Sequence, residues 1–151
     1  MYKTALALLL SIFTLSAFCQ TDEADIKKTI TTMFDGMRKG DTAMLAATFH
    51  KDMVLQSVGI NKDGSTRLVT EKASAFVTSV GKPHTEVYDE RITFNDIKID
   101  GPLAMAWTPY KFYVGEKFSH CGVNIFQMMK TTAGWKIIYI VDTRRKDKCV
   151  E

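Results

Sequence analysis

The sequence predicts an α+β domain in which one curved, antiparallel sheet wraps over three helices. Apolar residues recur at helical spacing only before residue 81, whereas the chain after residue 86 consists of runs with strand composition. Short turns that contain glycine separate several of these runs, and short connections join neighbouring antiparallel strands. Helices in the N-terminal half followed by a strand meander are typical of an α+β domain.

The first two helices are separated by a Gly-Asp pair. In DEADIKKTITTMFDGMRK, five apolar residues recur every three or four positions: Ile26, Ile30, Met33, Phe34 and Met37. Thr21 or Asp22 can cap the start of this helix, and Gly40 its end. Asp41 can then cap a second, shorter helix that continues through Phe49.

Strands and one more helix complete the order. DMVLQSVGINKDGSTRLVT has the composition of two strands around a Lys62-Asp63-Gly64 turn. Thr70 can cap the helix EKASAFVTSV, which Gly81 ends. Four strand runs follow: VYDERITFNDIKI, AMAWTPYKFYV, KFSHCGVNIFQMM and WKIIYIVDT. The predicted order is therefore α-α-β-β-α-β-β-β-β.

The amino terminus has the composition of an export signal. Lys3 precedes the apolar run ALALLLSIFTL, which is too short to span a bilayer comfortably. Ala17 and Cys19 are small residues at positions −3 and −1 of a cut before Gln20. We expect a signal peptide over residues 1–19, a periplasmic or secreted protein, and one domain over residues 20–151. The alternative, a lipoprotein signal acylated at Cys19, is disfavoured by the bulky Phe18.

Length and composition favour a single globular domain. The chain has 151 residues, of which 46% are apolar and 25% charged. Its net charge of +3 is small, and only TRRKDK is locally basic, so we expect no nucleic-acid partner. No later run is long and apolar enough to span a membrane, so we expect no membrane association after signal cleavage.

Cleavage before Gln20 would leave two cysteines, Cys121 and Cys149. An even number in an exported chain predicts a disulfide, although two separate thiols are the alternative. If Lys130 pairs with Trp135 in the last hairpin, Cys121 lies opposite Arg144, and the tail can fold back onto it.

Both faces of the last strands are apolar, which predicts that each face packs against a different surface. A two-residue turn at Gly115-Glu116 places Trp107 opposite Asn124 and Met105 opposite Phe126. One face would then hold Trp107, His120, Asn124, Phe126 and Tyr139, and the other Tyr110, Ile125, Ile138, Ile140 and Asp142. The helices cover only one face, so we expect a homodimer through the outer one.

Two stretches resemble the nuclear transport factor two-like superfamily. They are FDGMRKGDTAMLAATFHKDMVLQSVG and the closing hairpin FSHCGVNIFQMMKTTAGWKIIYIVDTRR. The likeness is greatest to its polyketide-cyclase-like and putative lumazine-binding families of small bacterial proteins. The resemblance implies a cone-shaped, cystatin-like α+β barrel over about residues 22–145. Relatives include isomerases, dehydratases, hydrolases, cyclases and domains without known activity, so the fold leaves the function open.

Within such a cone, the aromatic face predicts a pocket for a small hydrophobic or aromatic molecule. Its ligand-binding residues would be Trp107, His120, Asn124, Phe126 and Tyr139. Asn124 offers both a donor and an acceptor, but it can equally bond a neighbouring backbone at a bulge.

His50 and Asp142 are the candidate catalytic residues. His50 can act as a base near neutral pH or simply cap a helix, and relatives of the fold place acids such as Asp142 on interior strands. The alternative for Asp142 is an ion pair at the sheet end, near Arg91 and Arg144, and we expect no matching pair of catalytic carboxylates on one face. Metal and cofactor motifs are missing. The sequence thus predicts a cofactor-free, exported small-molecule-binding domain, with a cofactor-independent lyase, isomerase or hydrolase as the alternative.

Overall fold

The structure is a computed structural model that describes residues 2–149, with the side chains of residues 21–149. Its helices are Tyr2–Lys39 (α1), Thr42–Ala47 (α2) and Ala73–Val80 (α3). Its strands are Phe49–Ile60 (β1), Thr66–Lys72 (β2), Tyr88–Ile92 (β3), Asp96–Asp100 (β4), Leu103–Val114 (β5), Lys117–Thr131 (β6) and Gly134–Thr143 (β7). The predicted signal peptide lies outside the residues whose side chains are described. Within the described part of the chain, no helix is sufficiently long and apolar to cross a membrane.

All seven strands form one sheet in the order β2-β1-β7-β6-β5-β3, with β4 also paired to β5. The β1 and β7 strands are parallel, and every other pair is antiparallel. The predicted α+β fold is confirmed, with one curved sheet and helices confined to the N-terminal half.

One predicted strand run is divided in two. The β3 strand pairs with the second half of β5, from Tyr110 to Val114, and β4 pairs with its first half. Pro109 stands between these halves and has no N–H to contribute to a ladder. The intervening residues bond β5 only through Thr93 N to Pro109 O and Asn95 N to Trp107 O.

The predicted helix caps are partly right. Asp41 caps α2, because its carboxylate accepts a hydrogen bond from Met44 N at 2.9 Å. This helix ends before Phe49, which instead begins β1. Thr70 does not cap α3, since it lies within β2 and pairs with Gln56 of β1.

The core lies between α1 and the concave face of the sheet. The predicted apolar stripe of α1 is buried there, and the Phe34 ring meets Phe126 edge-on at 6.1 Å between centroids. Gly36 lets α2 approach α1, because a Cβ at this position would lie 2.8 Å from Leu45 N. This close packing fixes α2 against α1.

Two β-bulges change which residues share a face. The Gly115-Glu116 turn is as predicted, with Val114 opposite Lys117, but Ser119 is an extra residue that shifts the rest of the β5–β6 pair by one. Trp107 therefore pairs with Ile125 rather than Asn124.

Ile138 is the second extra residue, in β7. Lys130 pairs with Trp135 as predicted, whereas Cys121 meets Arg145 rather than Arg144. Together the bulges place Thr108, Tyr110, Ile140 and Asp142 on the concave face with His120, Asn124 and Phe126. The predicted dimer centre is thus wrong for Tyr110 and Ile140, which are buried inside the domain.

A disulfide joins Cys121 to Cys149 in the structure, across 28 residues. It attaches the chain after β7 to the outer side of β6. We predict that Cys149→Ser lowers the free energy of unfolding by about 2 kcal/mol, because the unfolded chain loses a closed loop. Thiol titration of the denatured, unreduced wild type should find no free thiol in the mature chain. Two free thiols there, with no stability change in the variant, would contradict the prediction.

Candidate functional site

A cavity of about 240 Å³ lies inside the cone, between α1, α3 and the concave face of the sheet. We call it the cone cavity. Apolar side chains form most of its wall: Met33, Phe34, Met37, Leu55, Phe76, Val80, Tyr88, Phe112, Phe126 and Ile140. Ser79 and Arg144 also line it and are exposed, which marks where the cavity opens to solvent. An apolar cavity with a few polar groups is typical of small-molecule sites.

Polar groups gather on the sheet side of this cavity. Asn124 Nδ2 donates to Glu90 Oε1 at 2.7 Å, and Arg144 Nε donates to Asp142 Oδ2 at 2.9 Å. Asn124 and Asp142 are direct partners across the β6–β7 pair. We call Glu90, Asn124, Asp142 and Arg144 the carboxylate cluster. It contradicts the expectation that no matching pair of carboxylates lies on one face.

The two carboxyl groups of the cluster differ in environment. Burial raises the pKa of Glu90 to about 7, and the negative charge of Asp142 raises it further, whereas Asn124 and Arg144 act in the opposite direction. Glu90 therefore changes its protonation state near neutral pH. A carboxyl group with such a pKa can exchange a proton with a bound molecule under physiological conditions.

Asp142 is paired on one side only. Its side chain is 8% exposed, and Oδ2 forms the ion pair with Arg144. Its other oxygen, Oδ1, is buried and has no hydrogen-bond partner among the described residues. Buried polar atoms are almost always hydrogen-bonded, so this oxygen is a candidate acceptor for a water or a ligand.

His120 and Tyr110 extend the polar side of the cone. The His120 ring packs against Phe112 at 4.9 Å and edge-on to Tyr110 at 5.7 Å between centroids. Burial and the nearby Arg144 charge lower the pKa of His120, so its neutral form is favoured at pH 7. Burial raises the pKa of Tyr110, whose hydroxyl stays protonated and donates to Thr143 O at 2.9 Å.

The structure brings together four of the predicted site residues and separates the others from them. His120, Phe126 and Asp142 line the cone cavity, and Asn124 lies on the same concave face, paired with Asp142 and bonded to Glu90. Trp107 and Tyr139 lie on the outer face, because of the two bulges. Trp107 is 40% exposed, and the Tyr139 hydroxyl donates to Gln56 Oε1.

His50 lies away from the cavity, at the start of β1. Its Nδ1 accepts a hydrogen bond from Asp52 N at 3.3 Å, and it does not line the cone cavity. The structure therefore does not bring His50 and Asp142 into one site. Among residues 21–149, no group of three or more metal-ligating side chains is placed to hold a metal ion.

Glu90 is the site residue that sequence reasoning missed. The β3 strand alternates, with Tyr88, Glu90 and Ile92 at one parity and the charged Asp89 and Arg91 at the other. A glutamate at the apolar parity of a short strand was the available signal, because such a residue must be buried among its apolar neighbours.

Several solved structures share the fold of this protein. Solved structures with the same fold include a nuclear transport factor 2-like protein with a cystatin-like fold from Novosphingobium aromaticivorans, at 11% identity, 87% coverage of each chain and a TM-score of 0.69. A conserved protein from Planctomyces limnophilus matches at 17% identity, covering 83% of this chain and 98% of that one, with a TM-score of 0.68. A nuclear transport factor 2-like protein of unknown function from Shewanella baltica matches at 13% identity, 84% and 96% coverage and a TM-score of 0.62.

The family follows from the sequence. Residues 21–141 match the model of the putative lumazine-binding family, and the chain belongs to that family. The predicted superfamily is confirmed by this match together with the structural neighbours. Comparison with curated proteins found no match.

Proposed function

We propose that this chain is an exported domain that binds a small, largely apolar or aromatic molecule in the cone cavity. One observation carries the proposal: an apolar cavity of about 240 Å³ contains a polar cluster on one side. That volume suits a ligand of one or two rings, and the aromatic wall offers surfaces against which a flat ring can pack.

The family description supports a small-molecule ligand and suggests a first probe. Lumazine is a flat, two-ring molecule with carbonyl and N–H groups on its edge, which suits a largely apolar cavity with polar groups on one side. Its fluorescence allows binding to be measured directly. Export is proposed on the composition of residues 1–19, and the mature domain would begin at Gln20.

Closing the cavity tests the proposal. Ser79 lies on α3, is exposed and lines the cone cavity. We expect Ser79→Trp to weaken lumazine binding at least tenfold, because an indole at the opening occupies the ligand's space. The matched control is Ser74→Trp, on the same helix but outside the cavity lining, which should bind like the wild type. Equal binding by all three proteins, or none by the wild type, would overturn the proposal.

A second candidate function, cofactor-independent acid–base catalysis, is favoured by the pKa of Glu90 near 7. Here Asp142 and Glu90 would be the acid–base residues, and His50 would have no part. Such a lyase, isomerase or hydrolase moves protons to or from its substrate. Incubation of bound carbonyl compounds in heavy water should then place deuterium on carbon, and Glu90→Gln should stop the exchange. Absence of any exchange would leave binding alone.

We also propose a homodimer, now centred on the outer face that the structure defines. Trp107, Ile125 and Val141 form one row across β5, β6 and β7, and Val58 lies beside them on β1. The supporting observation is apolar exposure: Trp107 is 40% and Val58 36% exposed. A second copy of this face would cover the row, and an interface of about 800 Å² per partner is enough for a stable pair.

A charge in the middle of the row tests the dimer. We expect Ile125→Asp to convert the wild-type dimer to a monomer, because the interface would have to desolvate an unpaired carboxylate. Val87→Asp is the control, since Val87 is 47% exposed but precedes β3. Light scattering at micromolar concentration measures the mass. A wild type with the mass of one chain would contradict the proposal.

A further inference from the structure

One hydrogen-bond acceptor of the carboxylate cluster is not satisfied by the cluster's own donors. Arg144 approaches Asp142 at Oδ2, and the Asn124 amide is turned to Glu90. Asp142 Oδ1 is left buried without a hydrogen-bond partner among the described residues, and Asp142 is one of the residues that line the cone cavity. A buried acceptor without a hydrogen bond costs free energy, so a ligand group that donates to it recovers that free energy on binding.

The Arg144 guanidinium occupies the other oxygen of Asp142, Oδ2, in an ion pair. A carboxylate offers only acceptors, so Oδ1 needs a donor from elsewhere. In the structure, no side chain of the described residues donates a hydrogen bond to Oδ1. A ligand that fills the cavity with carbon or with a lone-pair atom beside Oδ1 would keep the oxygen unpaired and would also exclude water from it.

We propose that the cone cavity selects flat, largely apolar molecules that carry an N–H or O–H donor, which Asp142 Oδ1 accepts. This inference rests on the proposed function, because it assigns the chemistry of the ligand to the same cavity. It goes further in stating which ligands are rejected. A ring compound whose donor has been methylated should bind much more weakly than its parent, although it is more apolar.

Matched probe pairs test the selection. Each pair has a donor-bearing ring and its methylated form: phenol and anisole, indole and 1-methylindole, and lumazine and 1,3-dimethyllumazine. Calorimetry measures the affinities for the wild type, Asp142→Asn and the control Asp96→Asn, whose exposed carboxylate lies on β4. In Asp142→Asn, Arg144 Nε requires the amide oxygen as its acceptor, so the NH₂ group takes the place of Oδ1 and a donor replaces the acceptor.

We expect the wild type and Asp96→Asn to prefer the donor-bearing member of at least one pair tenfold or more. Asp142→Asn should lose or invert that preference. Equal affinities within every pair would show that the cavity binds ligands without this selection, and would overturn the inference while the proposed function stands. A preference that survives in Asp142→Asn would overturn it likewise, because another group would be the acceptor. Binding of no probe by any variant would overturn both the inference and the proposed function.

Discussion

Replacing Gly122 with alanine is expected to lower the free energy of unfolding by more than about 3 kcal/mol. Gly122 lies in β6, where the tail of β7 and Tyr110 of β5 converge on it. A Cβ at this position would lie well inside the van der Waals radius of Thr143 O and 2.8 Å from a ring carbon of Tyr110. The carbonyl cannot move away cheaply, because it accepts the Tyr110 hydroxyl hydrogen bond at 2.9 Å.

Gly59→Ala is the matched control, also a strand glycine. The nearest atom to its added Cβ is Arg67 Nε at 3.3 Å, part of a flexible side chain that can give way. We expect the free energy of unfolding of this variant to lie within about 1 kcal/mol of that of the wild type. Chemical denaturation of the three proteins compares them. Coincident denaturation midpoints for Gly122→Ala and the wild type would contradict the close packing around Gly122.

Glu90→Gln is expected to remove a large pH dependence of stability. The folded-state pKa of Glu90 is about 7, against an ordinary value of 4.5. Between these values the folded state retains a proton that the unfolded state has released, so wild-type stability falls as pH rises through this window. Above about pH 7 the loss is complete. The uncharged glutamine avoids it, so the variant should gain about 3 kcal/mol on the wild type between pH 4.5 and pH 8.

The comparison is made as a difference because other groups at the site also titrate. The lowered pKa of His120 makes stability rise with pH below pH 6.5, but this effect is present in both proteins. Asp142, Arg144 and Tyr110 surround Glu90 in both as well. Glu116→Gln, at the exposed β5–β6 turn, should show no gain. A difference between Glu90→Gln and the wild type that stays constant with pH would contradict a half-buried Glu90 that retains its proton up to about pH 7.

Local signals in the sequence predict most of the helices and strands and the meander, whereas the superfamily follows from the resemblance of two stretches to its members. The helical spacing from Ile26 to Met37 and turns such as Gly115-Glu116 act over a few residues, so they can be recognised without the fold. The bulges at Ser119 and Ile138 could not be recognised, because nothing in either residue requires one. They arise where long strands curve around the helices, which is a property of the whole sheet.

Each bulge moves the side chains beyond it to the other face of the sheet. These reversals determine which of the predicted site residues lie at the cavity. His120, Asn124 and Phe126 were placed on the cavity face, as the structure has them. Trp107 and Tyr139 were placed there wrongly, since each lies on the far side of a bulge from these residues. Which residues from β3, β6 and β7 meet is a long-range property, so the contact between Glu90 and Asn124 required the structure.

The most direct test of a ligand site in the cone cavity uses the methionine methyl groups. Met33 and Met37 line the cavity, whereas Met105 and Met129 lie on β5 and β6 outside its lining. Lumazine is titrated into protein labelled with ¹³C at the methionine methyls, and the methyl spectrum is recorded at each step. The expected result is saturable shifts of the Met33 and Met37 signals, with Met105 and Met129 unchanged. Shifts confined to Met105 and Met129, or no shift at saturating ligand, would contradict binding in the cone.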